Sequence, residues 1–168
     1  MKIIGVDLGI RKYAASIWED DVLKSTWAYE SHAGTRQGEL LECGDDLYLA
    51  VAAEKPGFVV IEETLLGNNV KYSIKLAQMM GACLVRMAEL EQDVISVNVS
   101  QWKKAVVGTG NAGKDLVRDY IHTRDNAYSE LCGWDQDRFD AACIGYYGIH
   151  LHRLSLEVFG GARTGVGA

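Results

Sequence analysis

Apolar and polar positions alternate along this chain in a way that predicts a mixed α/β domain. In the first thirty residues, short apolar runs are separated by turn residues such as Glu19-Asp20-Asp21, which predicts a meander of three strands. Segments with helical spacing then alternate with short apolar runs, and Pro56-Gly57 separates the first helix from the next strand. The predicted strands are 2–8, 13–18, 22–29, 58–62 and 94–99, and the predicted helices are 37–54, 71–91, 100–107, 113–123 and 137–154.

This order of elements predicts a mixed β-sheet, with an antiparallel meander and parallel strands, flanked by helices. The 168 residues, 48% of them apolar, suit a single domain over 1–159 followed by a flexible, glycine-rich tail over 160–168. The chain has no apolar run long enough to span a membrane and starts directly with a strand, so we expect a cytoplasmic protein. Its cysteines, without a CxxC pair, are expected to be buried thiols: Cys43, Cys83, Cys132 and Cys143.

Four acidic residues stand where a metal-dependent nuclease would need them. Asp7 ends the first apolar strand and Glu62 ends the fourth, so neighbouring strands would place both carboxylates at one edge of the sheet. Asp137 and Asp140 share one face of the last helix. Hydrolysis of a phosphodiester by two metal ions requires such a group of carboxylates, whose oxygens suit Mg²⁺.

The same acids also allow simpler interpretations. Asp135 or Asp137 could cap the last helix at its N-terminus, and Asp140 could be a solvated surface charge. Glu63 lies beside Glu62, but alternation along a strand points the two side chains to opposite faces, so only one should reach a metal. We favour Glu62.

The net charge of −6 argues against nucleic-acid binding only as an average. Residues 1–63 contain 12 acidic and 6 basic side chains, whereas residues 101–124 contain five basic and two acidic ones. A cluster of metal-binding carboxylates also makes the metal-free chain more acidic than its loaded form. The basic residues of this later segment are Lys103, Lys104, Lys114, Arg118 and Arg124.

Four fragments in the same order and spacing resemble the RuvC family of Holliday-junction resolvases, within the RNase H-like superfamily. They are Ile4-Gly5-Val6-Asp7-Leu8-Gly9, Val60-Ile61-Glu62-Glu63, the segment 103–110 followed by Lys114, and Asp137-Arg138-Phe139-Asp140-Ala141-Ala142. The resemblance implies an RNase H-like sheet and a homodimeric DNA endonuclease that nicks two strands of a four-way junction symmetrically.

The resemblance also implies roles for individual residues. Asp7, Glu62, Asp137 and Asp140 match the catalytic metal ligands, which would hold two Mg²⁺ ions, or Mn²⁺ in their place. Lys103 and Lys114 match basic residues near the DNA, and we expect Lys104 and Arg118 to extend that surface. Leu65 lies in the loop where the family often carries an aromatic wedge; a leucine cannot stack on bases, although it can act as an apolar wedge.

Helix 71–91 carries apolar residues almost all around, with Lys75, Gln78, Arg86 and Glu89 on one narrow stripe. Two interpretations remain open: a well-buried helix of the monomer, or a helix whose methionine-rich face packs on a second subunit. The family resemblance favours the second.

Other function classes fit less well. The segment 108–114 satisfies part of a P-loop and a GxGxxG pattern, but Asp115 replaces the required Ser or Thr and a helix is predicted before it. An actin-like ATPase or sugar kinase also begins with Asp-x-Gly, yet is usually longer and repeats the motif. A non-catalytic DNA-binding relative would not need all four acids. A nuclease of the same fold for RNA or simple branched DNA is the closest alternative.

Overall fold

A computed structural model describes residues 1–63, 69–124 and 134–160, with side chains up to residue 157. Five strands form one sheet in the order β3-β2-β1-β4-β5, in which β1, β2 and β3 are antiparallel neighbours and β4 and β5 continue parallel to β1. The mixed sheet flanked by helices confirms the predicted fold class. The elements are β1 (Lys2–Leu8), β2 (Lys12–Glu19), β3 (Val22–Glu30), α1 (Arg36–Glu54), β4 (Phe58–Glu62), α2 (Val70–Glu89), β5 (Val94–Val97), α3 (Val99–Val107), α4 (Lys114–Arg124) and α5 (Gln136–Gly160).

Most predicted boundaries are correct to within two residues, and one is not. Helix α5 extends to Gly160, six residues beyond the predicted end at Leu154, since no glycine or proline intervenes to stop it. It therefore includes the first residue of the predicted tail, whereas residues 161–168 lie outside the described part of the chain.

The sheet is covered on both faces, and alternation along β1 divides its side chains between two cores. Ile4, Val6 and Leu8 pack with residues of α1 and α2. Ile3 lies on the opposite face and packs with residues of α3, α4 and α5. Gly5 and Asp7 have the same parity as Ile3, so they face the α5 side of the sheet. The alternation therefore turns Asp7 toward α5.

Helix α5 lies unusually close to β1 and β2. A Cβ atom on Gly5 would come within 2.2 Å of the Gly145 backbone nitrogen, so only glycine fits at this point of the strand. The hydroxyl of Ser16 donates a 2.7 Å hydrogen bond to the Ala141 carbonyl, and the indole of Trp18 donates a 3.0 Å bond to the Ala142 carbonyl. These contacts fix the helix just beyond Asp140.

Helix α2 corrects the expectation for its methionines. Met79 and Met87 are fully buried against the sheet, so the methionine-rich side belongs mainly to the core of this chain. The polar stripe faces α1, because Arg36 donates a 3.2 Å hydrogen bond to Gln78 and Arg86 forms an ion pair with Asp45. The helix also exposes a separate apolar stripe: Val70, Ile74, Ala77, Gly81, Val85 and Ala88.

Three of the cysteines, Cys43, Cys83 and Cys143, are buried free thiols, as predicted, while Cys132 lies outside the described residues. Burial raises the pKa of the Cys43 thiol to about 11, so it is protonated at neutral pH. In the described ranges, no helix combines the length and hydrophobicity of a membrane span. A cytoplasmic location stays a prediction.

Candidate active site

The strand order brings two of the predicted acids to the same edge of the sheet. Strands β1 and β4 are parallel neighbours, with Val6 opposite Ile61, so the next residues, Asp7 and Glu62, lie side by side at the C-terminal ends of the strands. Both carboxylates are partly covered by the surrounding chain. The sheet therefore supplies one half of the candidate site.

The first turns of α5 supply the other half. Asp137 and Asp140 precede Ala141 and Gly145, which pack against Gly5 and Ser16, so the helix points both acids toward the end of β1. Electrostatic coupling links Asp7 to Glu62, Asp140 and Asp137. The structure thus gathers all four predicted acids from β1, β4 and α5, although Asp7 and Asp140 are 133 residues apart along the chain.

The pKa values of three of these carboxyls are raised, with burial as the largest cause in each. Burial and then repulsion from Glu62, Asp140 and Asp137 hold the pKa of Asp7 well above 3.8. Burial raises the pKa of Glu62, against a hydrogen bond from Trp102, and Asp140 adds to the rise. Burial likewise raises the pKa of Asp140, against a hydrogen bond from Gln136 and the charge of Lys103. Negative charge at this site is therefore only partly compensated.

The carboxylates lie near one another without forming a closed cage. Across residues 1–63, 69–124 and 134–160, no three acidic, histidine or cysteine side chains already stand in a metal-binding arrangement. The binding of a cation by these carboxylates would therefore require their side chains to rearrange.

The helix-cap interpretation applies to Asp135 and not to Asp137. Asp135 accepts a 3.1 Å hydrogen bond from the Arg138 backbone N–H, which makes it the N-cap of α5. Asp137 instead forms an ion pair with Lys12. Asp140 is not a solvated surface charge, since it is half-buried and accepts a 3.0 Å hydrogen bond from Gln136. Of the simpler interpretations, the cap at Asp135 is confirmed, whereas a cap at Asp137 and a solvated charge at Asp140 are wrong.

Glu62 and Glu63 have different environments. Glu62 accepts a 2.7 Å hydrogen bond from the indole N–H of Trp102, which is fully buried. Glu63 is exposed, and its backbone N–H continues the sheet by donating to Val97 at 2.7 Å. The structure therefore places Glu62, and not Glu63, among the other acids.

Basic side chains border the acids on the α3 and α4 side. The positive charge of Lys103 opposes the rise in the pKa values of Glu62 and Asp140, and that of Lys114 opposes the rise in the pKa of Asp140. Lys104 and Arg118 are exposed, but Arg118 is engaged on its own helix with Asp115 at 3.1 Å and Asp119 at 3.7 Å. The predicted basic surface is therefore strongest at Lys103 and Lys114. Leu65 lies outside the described residues.

The glycine-rich segment 108–114 does not form a phosphate-binding loop of the P-loop type. Gly108, with φ at 94°, ends helix α3 in the left-handed conformation that favours glycine. Ala112 accepts a 3.1 Å hydrogen bond from the Lys103 ammonium, so the turn holds that lysine in place. A helix, rather than a strand, precedes the turn, which removes the context that a P-loop requires.

Three residues of the site were not foreseen from the sequence in these roles: Lys12, Trp102 and Gln136. Each contacts one of the acids through its side chain. Gln136 carried a local signal, since it lies four residues before Asp140 in a predicted helix. A buried tryptophan also needs an acceptor for its N–H, so the sequence indicates that Trp102 has a hydrogen-bond acceptor but not which residue supplies it.

Comparisons with known proteins agree on one family. The family described as crossover junction endodeoxyribonuclease RuvC matches residues 3–130. The RuvC protein of Pelobacter propionicus is 28% identical over 159 residues, covering 92% of this chain and 89% of its own length. That of Helicobacter pylori is 31% identical over 161 residues, covering 94% of this chain and 100% of its own.

The fold comparison agrees with the sequence. Thermus thermophilus RuvC in complex with a Holliday junction substrate has a TM-score of 0.81 at 19% identity, covering 92% of this chain and 96% of that one. The yeast mitochondrial Holliday junction resolvase Ydc2 has a TM-score of 0.57 at 11% identity, covering 85% and 76%. Because the family match spans well over half of the chain, this chain belongs to the RuvC family of crossover junction endodeoxyribonucleases.

Proposed function

We propose that this chain resolves four-way DNA junctions as a homodimer, each subunit cutting one strand by metal-dependent hydrolysis at Asp7, Glu62, Asp137 and Asp140. Membership of the RuvC family supports the endonuclease activity and the junction substrate. The observation that carries the metal-dependent chemistry is the convergence of four carboxylates from β1, β4 and α5, with Asp7 at the centre of their mutual repulsion.

The residues fit a divalent cation. Burial and repulsion raise the pKa values of Asp7, Glu62 and Asp140. The rise persists although Lys12 opposes it at Asp7, Lys103 opposes it at Glu62, and Lys103 and Lys114 oppose it at Asp140. A site for a structural ion pair would have balanced these charges. Carboxylate oxygens are the ligands that Mg²⁺ prefers, and we propose two such ions per site, with Mn²⁺ able to replace them.

When bound, divalent ions supply an activated water and stabilise the charge that develops on the leaving oxygen. The side chains of this chain hold and orient the reacting groups. Asp7 and Glu62 are held by neighbouring strands, while Asp137 and Asp140 are held by α5, which packs closely against β1. Lys103 and Lys114 attract the DNA phosphates and reduce the repulsion between the phosphates and the carboxylates. Lys104 and Arg118 extend that surface, and we propose Leu65 as an apolar wedge at the junction.

The apolar stripe on α2 supports the homodimer. Val70 is 61% exposed, Ile74 52% and Val85 61%, although each is a residue type that is usually buried. Steps of three and four residues place the stripe on one side of the helix, as at the contact of paired helices. Ala77, Gly81 and Ala88 would let a second helix approach closely, and a Cβ atom on Gly81 would meet nothing within 4 Å in this chain.

The activity is tested with labelled substrates, each incubated with Mg²⁺ or with EDTA. A four-way DNA junction is compared with a flap, a linear duplex and a branched RNA. We expect paired, symmetric nicks in the DNA junction with Mg²⁺ and none with EDTA. Preferential cutting of the RNA or the flap would support the alternative substrates, and no metal-dependent nicking of any substrate would refute the nuclease.

The dimer is tested by sedimentation at micromolar concentration. Replacing Ile74→Asp together with Val85→Asp should convert a species of twice the chain mass into a monomer. Leu49→Asp is the matched control, because Leu49 is equally exposed, at 65%, but lies on α1 outside the stripe. A wild-type chain that stays monomeric would contradict the proposed interface.

A further inference from the structure

Trp102 connects helix α3 to the acidic cluster through a single hydrogen bond. Its side chain is fully buried, and its indole N–H donates to Oε2 of Glu62 at 2.7 Å. This distance is at the short end for a bond from nitrogen to oxygen, as expected when the acceptor is charged. The bond joins residues 40 positions apart in the sequence.

The donor is held rigidly. A capping box at Asn98 and Gln101 fixes the start of α3 immediately after β5, and Val97 of β5 pairs with Glu62 itself. Lys103, the next residue, is anchored to the Ala112 carbonyl at 3.1 Å, with its ammonium 5.4 Å from the Trp102 ring. The indole therefore cannot shift without moving α3, whereas an unrestrained glutamate can rotate about several bonds.

Trp18 provides an internal comparison. It is also buried, at 1% exposure, and its N–H also donates a hydrogen bond, at 3.0 Å. Its acceptor is the backbone carbonyl of Ala142 in α5, so this bond satisfies the indole without contacting an acidic side chain. A tryptophan that serves only for packing can donate its N–H to any acceptor. Trp102 instead donates to a carboxylate of the acidic cluster.

We propose that Trp102 is a positioning residue that holds the Glu62 carboxylate in the orientation required to bind a divalent cation. The proposal rests on the metal site of the proposed function, and it assigns to α3 a role in metal affinity beyond DNA contact. Groups that orient a metal ligand in this way typically change metal affinity by about 10- to 100-fold when removed.

The test is the binding of Mn²⁺ to the full-length, DNA-free protein, measured by calorimetry. Trp102→Phe keeps an aromatic ring and removes the N–H, and it should raise the Kd for Mn²⁺ by about 10-fold or more. Trp27→Phe removes an N–H that donates to the Tyr13 hydroxyl on the opposite face of the sheet, and it should leave that Kd unchanged. In a Glu62→Gln background, adding Trp102→Phe should weaken Mn²⁺ binding no further, because the two residues act as a unit.

Activity supplies a second readout. Trp102→Phe should need more Mg²⁺ for half-maximal nicking and recover its rate at high Mg²⁺, while the junction Kd measured in EDTA stays at the wild-type value. If Trp102→Phe does not fold, replacing Trp102 by 3-benzothienylalanine, which keeps the ring size without the N–H, carries the same test.

Equal Mn²⁺ affinity in Trp102→Phe and Trp27→Phe would overturn the proposal, as would a wild-type protein that binds no Mn²⁺. These results are separable from the proposed function. A wild-type chain that fails to nick junctions but binds Mn²⁺ in a Trp102-dependent way refutes only the function. A chain that nicks junctions with Mn²⁺ affinity independent of Trp102 refutes only the positioning role.

Discussion

The substitution Gly5→Ala should move the two halves of the candidate active site apart. The new Cβ would lie 2.2 Å from the Gly145 nitrogen, 2.4 Å from its Cα and 2.6 Å from the Ala141 oxygen, all of them backbone atoms of α5. Since non-bonded atoms rest about 3.5 Å apart, the helix must withdraw by on the order of 1 Å. The same helix carries Asp137 and Asp140, so the acids of the helix would move away from those of the strands.

The expected cost has a structural and a catalytic part. Overpacking of this kind destabilises a protein by about 1–3 kcal/mol. At about 2–4 °C per kcal/mol for a domain of this size, the melting temperature should fall by several degrees. Misplacing catalytic groups by about 1 Å can lower the rate about 100-fold. We therefore expect a folded protein whose loss of nicking far exceeds its loss of stability.

The assay combines thermal unfolding, followed by circular dichroism, with single-turnover nicking of a four-way junction in Mg²⁺ at a temperature well below unfolding. Gly34→Ala is the control, because a Cβ atom there would meet nothing within 4 Å and the residue lies before α1. If Gly5→Ala melts and cuts like Gly34→Ala, the close approach of α5 to β1 does not position the acids.

Three further outcomes follow from the charges around the site. In EDTA at neutral pH, Asp7→Asn should melt higher than the wild type, because burial and repulsion raise the pKa of Asp7 in the folded state and its ionised form opposes folding. That advantage should shrink as the pH falls through the raised pKa of folded Asp7 toward 3.8, because the folded wild-type carboxyl then takes up its proton, and a scan in which the advantage grows instead would contradict the assignment. Lys114→Ala should lower the slope of log Kd against log salt for junction binding by about 0.9, one phosphate contact, whereas Lys24→Ala on β3 should not. Lys12→Met removes the ion pair to Asp137, so half-maximal nicking should require less Mg²⁺; a higher requirement would show that the lysine aids the site.

The sequence predicted those parts of the molecule that depend on local pattern. A carboxylate that ends an otherwise apolar strand is visible without coordinates, so Asp7 and Glu62 could be paired before their register was known. Contacts between distant side chains could not be predicted in this way. Trp102 reaches Glu62, and Lys12 reaches Asp137, only because the fold brings separate segments together.

Helix α2 shows a different limit of prediction from sequence periodicity. Its periodicity indicated more apolar surface than one sheet face requires, which is correct. With apolar residues almost all around, however, spacing alone did not reveal which side faces the sheet. The side of the helix that carries Met79 and Met87 packs against the sheet, whereas the stripe through Ile74 and Val85 is exposed.

The distribution of charge explains how a chain with a net charge of −6 can act on DNA. Several acidic residues of the N-terminal half are paired away from the site: Glu54 with Lys2, Glu39 with Arg36, and Asp45 with Arg86. The acids that remain poorly compensated are those of the acidic cluster, where Asp7 has the most strongly raised pKa. Lys12 opposes part of the rise at Asp7, and Lys103 and Lys114 oppose part of it at the other acids. Bound divalent cations would reverse the sign of the local charge, and the neighbouring lysines would then add to the attraction for phosphate. Junction binding should accordingly strengthen when Ca²⁺, which suits the same oxygen ligands, replaces EDTA, and this gain should be smaller in Asp7→Asn.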